Sequence, residues 1–122
     1  MDQDPHAKRS NPLSATDFHV LMVLAEEDLY GYAIMKAVER ESAGAVSPEI
    51  GSLYRILARL VSEGFVDEAD APADASVEHR GRPRRYYRLT EAGRLAVMRE
   101  SQRLRDVLEL ARERSLLPEL AG

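Results

Sequence analysis

The spacing of apolar residues changes along the chain and predicts four helices and two short strands. Residues 15–27 are apolar on almost every side, as in a helix buried in a core or across a subunit interface. Ser14 can cap this helix, with Asp17 three residues later in a position like that of a capping box. Residues 32–44 predict a second helix, which Gly44 is placed to end in the left-handed conformation.

The third helix has the clearest period. Its apolar residues recur at i, i+3, i+4, i+7 and i+8, namely Leu53, Ile56, Leu57, Leu60 and Val61. Ser47 and Pro48 suit the cap and the first turn, although Gly51 is an alternative start. Gly64 is the expected residue just beyond its last turn.

After Gly64 the pattern becomes β-like. Residues 65–69 and 85–89 predict two strands, joined by a loop that has little to bury, and together they form a hairpin. Thr90 caps a last helix that continues to about Ser115, well beyond the mean length of ~11–12 residues. The order of elements predicts a mainly α (α+β) fold, a winged helix-turn-helix with a two-stranded wing and a long C-terminal dimerisation helix.

The domain organisation follows from this order. The length of 122 residues suits one domain with a modest core. Residues 1–12 are a polar tail that we expect to be disordered, and residues 13–90 form the winged-helix domain. Residues 91–117 form the dimerisation helix, and residues 118–122 are a short tail.

Composition excludes several classes of function. The chain has no cysteine, so disulfides and thiolate metal sites are excluded and a reducing cytoplasm is the expected compartment. No apolar run approaches the roughly 18 residues of a membrane span, and the N-terminus does not resemble a secretory signal. The histidines, His6, His19 and His79, lack metal-ligand spacing, and no phosphate loop or nucleophile motif is present. We therefore expect no enzymatic activity, cofactor, metal or membrane partner.

Charge is unevenly distributed. The formal net charge is −4, yet residues 80–88 contain five arginines and no acid. Arg80, Arg82 and Arg84 fall at the predicted tip of the wing, where arginine suits the DNA backbone or the minor groove. The alternative is a basic loop that is balanced by the acidic residues just upstream.

The outward face of the third helix carries Ser52, Arg55 and Arg59, with Tyr54 on its flank. Arginine can bond bidentately to a guanine edge, and serine or tyrosine can reach phosphates or bases. This composition predicts entry into the major groove, although an ordinary solvated face has the same residues.

The last helix carries an apolar stripe among many charges, formed by Leu95, Leu104, Val107, Leu108 and Ala111. The first three helices already supply a core, so a second copy of the chain is the expected partner, against the alternative of packing along its own domain. A two-fold dimer would present two copies of the third helix to the two half-sites of a pseudo-palindromic operator, which lie about 34 Å apart. We also expect an effector pocket at the dimer interface, lined by Phe18, Met22 and Leu104, for a small hydrophobic or aromatic molecule.

Three segments, residues 13–39, 51–66 and 82–94, together resemble the PadR-like transcriptional regulators, especially the short subgroup with a single C-terminal helix. The resemblance covers residues 13–115 and depends on three motifs in order: Gly31-Tyr32, Gly51-Ser52-Leu53-Tyr54, and Arg85-Tyr86-Tyr87-x-Leu89-Thr90-x-x-Gly93. It implies a winged helix that dimerises through its C-terminal helix and represses a nearby operon until an effector loosens DNA binding.

The resemblance also implies roles for individual residues. It places Ser52, Tyr54 and Arg55 on the recognition helix, Tyr32 near the phosphate backbone, and Arg82 and Arg84 on the wing. Tyr30 stands where many members have histidine, and Arg55 replaces a frequent proline, which implies a different operator sequence. The remaining alternative is a winged helix that binds only proteins, since a fold does not imply a function. Such a module has no need of a basic wing beside an arginine-bearing helix.

Overall fold

The computed structural model describes residues 12–72 and 85–119. Its elements are α1 (Ala15–Glu26), β1 (Leu29–Tyr30), α2 (Gly31–Glu41), α3 (Ile50–Ser62), β2 (Val66–Ala69), β3 (Tyr86–Leu89) and α4 (Glu91–Glu113). The predicted order of three helices, a hairpin and a long helix is confirmed. The predicted tip of the wing and nearly all of the predicted N-terminal tail lie outside the described residues, as do residues 120–122.

Helix α1 is the centre of the core. Val20, Leu21, Val23 and Leu24 are all buried, and the helix packs against α2, α4 and β3. Neighbours on several sides explain why its sequence is apolar almost all round. Met22 is the exception, because its side chain is partly exposed.

The ends of the helices are set by local hydrogen bonds. The Ser14 hydroxyl accepts from the Asp17 N–H at 3.0 Å, as predicted for the start of α1. At the end of α3, Gly64 has a φ of +86°, and the Phe65 N–H donates to the Leu60 carbonyl at 3.0 Å. This is the Schellman motif, in which glycine adopts the left-handed conformation without strain.

The predicted start of α3 at Ser47 and Pro48 is wrong. The helix begins at Ile50, and the capping position is Glu49, which makes no side-chain cap bond. The Ser47 hydroxyl instead donates to the Glu39 carboxylate at 3.3 Å. Gly51, the alternative start, lies in the first turn.

The sheet has three strands in the order β1-β3-β2, all antiparallel. Strand β1 was not predicted, since two residues are too short to show a period. It pairs Leu29 with Tyr87 and Tyr30 with Tyr86. Tyr87 is the buried member of the tyrosine pair, and Tyr86 packs edge-to-face on Tyr30 with ring centroids 5.5 Å apart.

Helix α4 begins against the turn that ends α3. The Thr90 hydroxyl accepts from the Gly93 N–H at 3.0 Å and donates to the Gly64 carbonyl at 2.6 Å. A Cβ added to Gly93 would lie 2.2 Å from the Phe65 carbonyl oxygen, so glycine permits this close approach.

Helix α4 then extends away from the domain. Its 23 residues span about 35 Å, and its buried residues, Gly93, Ala96 and Glu100, are all in the first half. The helix ends at Glu113, before the predicted boundary at residue 117, and Ser115 adopts a positive φ just beyond it. No helix within residues 12–72 and 85–119 is long and apolar enough to cross a membrane.

Candidate DNA-binding surface and adjoining cavity

The faces of α3 are arranged as the periodicity predicts. Leu53, Leu57 and Leu60 are fully buried, whereas Arg55 and Arg59 are exposed. Ser52 is half-buried, and its hydroxyl accepts from an Arg55 Nη at 3.1 Å. This bond holds the Arg55 guanidinium toward the N-terminal half of α3, with its remaining donors available to a ligand.

Tyr54 packs on the first residue of α2. A Cβ added to Gly31 would lie 2.5 Å from the Tyr54 hydroxyl oxygen, so a larger residue there would force the Tyr54 ring to move. Nearly half of Tyr54 stays exposed. The two motifs that contain Gly31 and Tyr54 are therefore in contact, which the sequence does not reveal because the residues are far apart in the chain.

This contact brings the start of α2 beside the first half of α3. Tyr32 follows Gly31 and is about half exposed, and the Lys36 ammonium lies 5.9 Å from its ring centroid. Lys36 was not among the predicted residues. Its position one turn after Tyr32 on the solvent side of α2 is the signal that could have identified it.

The described part of the basic segment is paired with acids. Arg85 lies 3.6 Å from the Glu68 carboxylate, and Arg88 donates twice to Asp28, at 3.0 and 3.2 Å. The predicted wing contacts, Arg80, Arg82 and Arg84, lie outside the described residues. Any excess positive charge on the wing therefore depends on those three residues.

Arg59 has a partner within the chain. Its two terminal nitrogens donate to the two Asp17 oxygens at 2.8 and 3.1 Å, and Glu63 lies 3.5 Å away. Asp17 is only 4% exposed, whereas the Arg59 side chain is 44% exposed. The hydrogen bonding of Arg59 to the accepting Asp17 carboxylate raises the pKa of Arg59 above its usual value, against the opposing effect of partial burial. The Asp17 carboxylate thus holds Arg59 of α3 against the first turn of α1. Contact between Arg59 and DNA stays a prediction.

A cavity of about 270 Å³ lies between the start of α1 and the middle of α4. It is lined by Leu13, Ala15, Phe18, His19, Glu100, Arg103 and Leu104. Two of the three predicted pocket residues, Phe18 and Leu104, are therefore brought together, and Met22 is not among those lining it. The volume is close to the lower end of ligand pockets, ~300 Å³.

The polar groups of this cavity are unequally satisfied. Glu100 is 6% exposed and accepts from Arg103 at 2.6, 3.1 and 3.2 Å. The Arg103 hydrogen bonds lower the pKa of Glu100, whereas burial acts to raise it. The backbone of Leu13 also acts to lower this pKa. The buried Nδ1 of His19 has no hydrogen-bond partner within the described part of the chain. It is a polar atom that a ligand could satisfy.

None of the predicted dimerisation residues of α4 is fully buried. Leu95, Val107 and Leu108 are exposed, and Leu104 and Ala111 are half-buried. Sequence reasoning missed other exposed apolar side chains of the same region, namely Met98, Leu110 and Leu116. A patch of this kind on a helix that has left its domain is typical of an interaction surface.

Three packed helices, a small antiparallel sheet with a wing and a long C-terminal helix define a winged-helix protein. The model of the transcriptional regulator PadR-like family matches residues 20–99, well over half of the chain. The protein belongs to this family of transcriptional regulators, which are not enzymes.

Individual relatives agree with the family assignment. The chain is 34% identical over 100 residues to the transcriptional regulator Rv3488 of Mycobacterium tuberculosis, covering 82% of each protein. It is 40% identical over 82 residues to an uncharacterised 37.1 kDa protein in transposon TN4556 from Streptomyces fradiae; these residues are 67% of the chain and 21% of that protein. A PadR family transcription regulator from Clostridium difficile shares the fold, with a TM-score of 0.66, 22% identity, and coverage of 82% of this chain and 97% of that one.

Proposed function

We propose that the protein is a cytoplasmic, homodimeric repressor that binds a pseudo-palindromic operator and releases it when a small hydrophobic or aromatic effector binds. The observation that carries this proposal is the juxtaposition of Tyr32, Tyr54 and Arg55. The contact between Tyr54 and Gly31 joins the first turn of α2 to the outward face of α3. The two helices then present hydroxyl and guanidinium donors on one surface.

The proposed DNA-facing surface consists of Tyr32, Ser52, Tyr54 and Arg55, with Arg80, Arg82 and Arg84 on the wing. Arg55 is suited to read a base, because its partner, the Ser52 hydroxyl, is uncharged and the bond is exposed. The guanidinium can therefore leave Ser52 and bond to the edge of a guanine. Lys36 adds a positive charge beside Tyr32. The wing arginines would contact phosphates or enter the minor groove, where they add affinity with little sequence preference.

The dimer is supported by the exposed apolar residues of α4. A second copy of the chain, packed on the second half of α4, would cover Val107 and Leu108, which the chain's own domain leaves exposed. Two-fold symmetry would then place two α3 helices about 34 Å apart, one turn of DNA. A protein that binds only other proteins would have no use for this spacing.

The effector proposal is supported by the cavity between α1 and α4. Its apolar lining suits a ring, and His19 Nδ1 and Arg103 offer polar contacts. The chain contains no tryptophan, so Phe18→Trp, at a cavity residue outside the predicted dimerisation stripe, would both narrow the cavity and introduce a fluorophore. We expect this variant to bind the operator and to lose binding of the apolar probe 1-anilinonaphthalene-8-sulfonate. Unchanged probe binding would contradict the site.

DNA binding is tested by fluorescence anisotropy with the DNA upstream of the protein's own coding region. If each protomer neutralises about four phosphates, affinity should fall with salt at a log–log slope of roughly −7 for the dimer. An unrelated duplex of equal length is the control, and specific binding should be much the tighter of the two at the same salt. Absent or nearly salt-independent binding at micromolar dimer would contradict the proposal and favour the protein-docking alternative.

A further inference from the structure

Two charged side chains are buried among residues 12–72 and 85–119, and both are at the same place in the fold. Asp17 belongs to the first turn of α1, and Glu100 of α4 lines the cavity beside Leu13 and Ala15, at the start of the same helix. Each carboxylate is held by an arginine that is about half exposed, Asp17 by Arg59 and Glu100 by Arg103. The start of α1 is therefore bonded to α3 through Asp17 and packed against α4 beside Glu100.

The chemistry of these bonds favours a positioning role. A buried carboxylate is costly unless its oxygens are fully bonded, so each holds its arginine firmly. The paired bonds between Arg59 and Asp17 fix direction as well as distance, because a guanidinium is planar and its two donors are rigidly spaced. Apolar side chains at these positions would pack equally well but would define the angle between the helices less sharply.

We propose that Asp17 and Glu100 are positioning residues for DNA binding, and that Arg59 acts through Asp17 and not on DNA. We call the series Arg59, Asp17, residues 13–17, Glu100 and Arg103 the carboxylate brace. It joins the helix that reads DNA to the helix that carries the dimer axis, and so sets the placement of the two α3 helices relative to each other. This inference rests on the proposed function, since it concerns how that surface is aligned with two half-sites.

The first test compares operator with unrelated DNA. Asp17→Asn and Glu100→Gln each remove one buried charge while keeping the shape of the side chain. Each should weaken operator binding roughly tenfold, as couplings between sites commonly do, with binding to an unrelated duplex and the salt slope unchanged. Asp28→Asn is the matched control, because it makes the same change in net charge at the exposed Asp28–Arg88 pair. It should bind the operator like the unaltered protein.

Arg59→Lys provides a second variant, at a half-exposed position. Lysine keeps the charge and loses the two-pronged bond, so the brace predicts the same loss of operator preference. If Arg59 contacted a phosphate instead, Arg59→Lys would keep most of the affinity, and Asp17→Asn would tighten binding to every duplex by releasing Arg59. Either result would overturn the proposal, as would an effect of Asp17→Asn without one of Glu100→Gln.

A second measurement needs no DNA and so separates the brace from the proposed function. The chain has no cysteine, so Ala58→Cys on α3 and Arg105→Cys on α4 can carry spin labels without competing thiols. Electron–electron double resonance, on samples diluted with unlabelled protein, should give one narrow distance. Asp17→Asn and Glu100→Gln should broaden or shift it, whereas Asp28→Asn should not. Identical distributions in all four proteins would refute the brace even if the protein binds DNA, and altered ones would support it even if DNA binding failed.

Discussion

Arg55 and Arg59 lie one turn apart on the exposed side of α3, and their guanidinium groups have different surroundings. Arg55 donates to the neutral hydroxyl of Ser52, whereas Arg59 is bonded through two nitrogens to the buried carboxylate of Asp17. Moving Arg55 to a DNA acceptor costs little. Moving Arg59 would leave a buried carboxylate unsatisfied, which is much more costly. Residues of one type on one face of a helix thus have different capacities to bind a ligand.

The largest expected difference between the two arginines is in their contribution to the recognition of the operator's base sequence. Arg55→Ala should weaken operator binding by about 1–3 kcal/mol if Arg55 bonds a base edge. Anisotropy titrations on the operator and on operators altered at single positions would measure it. The loss should vanish on an operator altered at the base that Arg55 contacts. An equal loss on every sequence would instead assign Arg55 to a phosphate.

For the stability of the fold, the larger effect is expected at Arg59 and the smaller one at Arg55. Arg59→Ala leaves Asp17 buried without its main partner and should lower the free energy of unfolding by about 2 kcal/mol, less than the ~3–5 of a fully buried pair because Arg59 is half exposed. Arg55→Ala should change it by no more than about 0.5 kcal/mol, as expected for an exposed side chain. Urea unfolding followed by circular dichroism at fixed protein concentration would measure both. Equal effects would remove the distinction between the two residues.

The wing provides a comparison with Arg55. Arg82→Ala combined with Arg84→Ala should weaken binding to operator and to unrelated DNA about equally, and should lower the magnitude of the salt slope by roughly 0.9 for each phosphate that is no longer neutralised. The same titrations at several salt concentrations would show this. A weakening confined to the operator would mean that the wing reads sequence.

The smallest expected effect is on the pH dependence of stability, to which the Glu100–Arg103 pair contributes. Because Arg103 lowers the pKa of Glu100 in the folded state, the pair stabilises the fold above the unfolded glutamate pKa. That contribution is lost as the pH falls through the lower, folded value. Thermal unfolding between pH 6 and the acid range should therefore depend less on pH in Glu100→Gln. Glu109→Gln, at the exposed Glu109–Arg112 pair, is the control and should behave like the unaltered protein.

Much of the fold could be predicted because its signals are local. The i, i+3, i+4 period identified the buried face of α3, and Ser14, Gly64 and Thr90 marked helix ends where the bonds join residues at most five positions apart. The start of α3 was misplaced, since Ser47 bonds Glu39 and caps nothing. Strand β1 was missed, because it exists only through pairing with β3, more than fifty residues later.

The features of the candidate site also fall into those that the sequence determined and those that only the tertiary structure decided. The sequence by itself determined which residues of α3 face outward, that α4 carries apolar residues among its charges, and that arginine is concentrated in residues 80–88. Only the tertiary structure decided that Tyr87 is the buried tyrosine, that Tyr54 rests on Gly31, and that Arg59 holds Asp17. The physical reason is distance along the chain. A helical period records the side of the helix on which a residue lies, whereas a bond between residues 17 and 59 forms only when two helices pack.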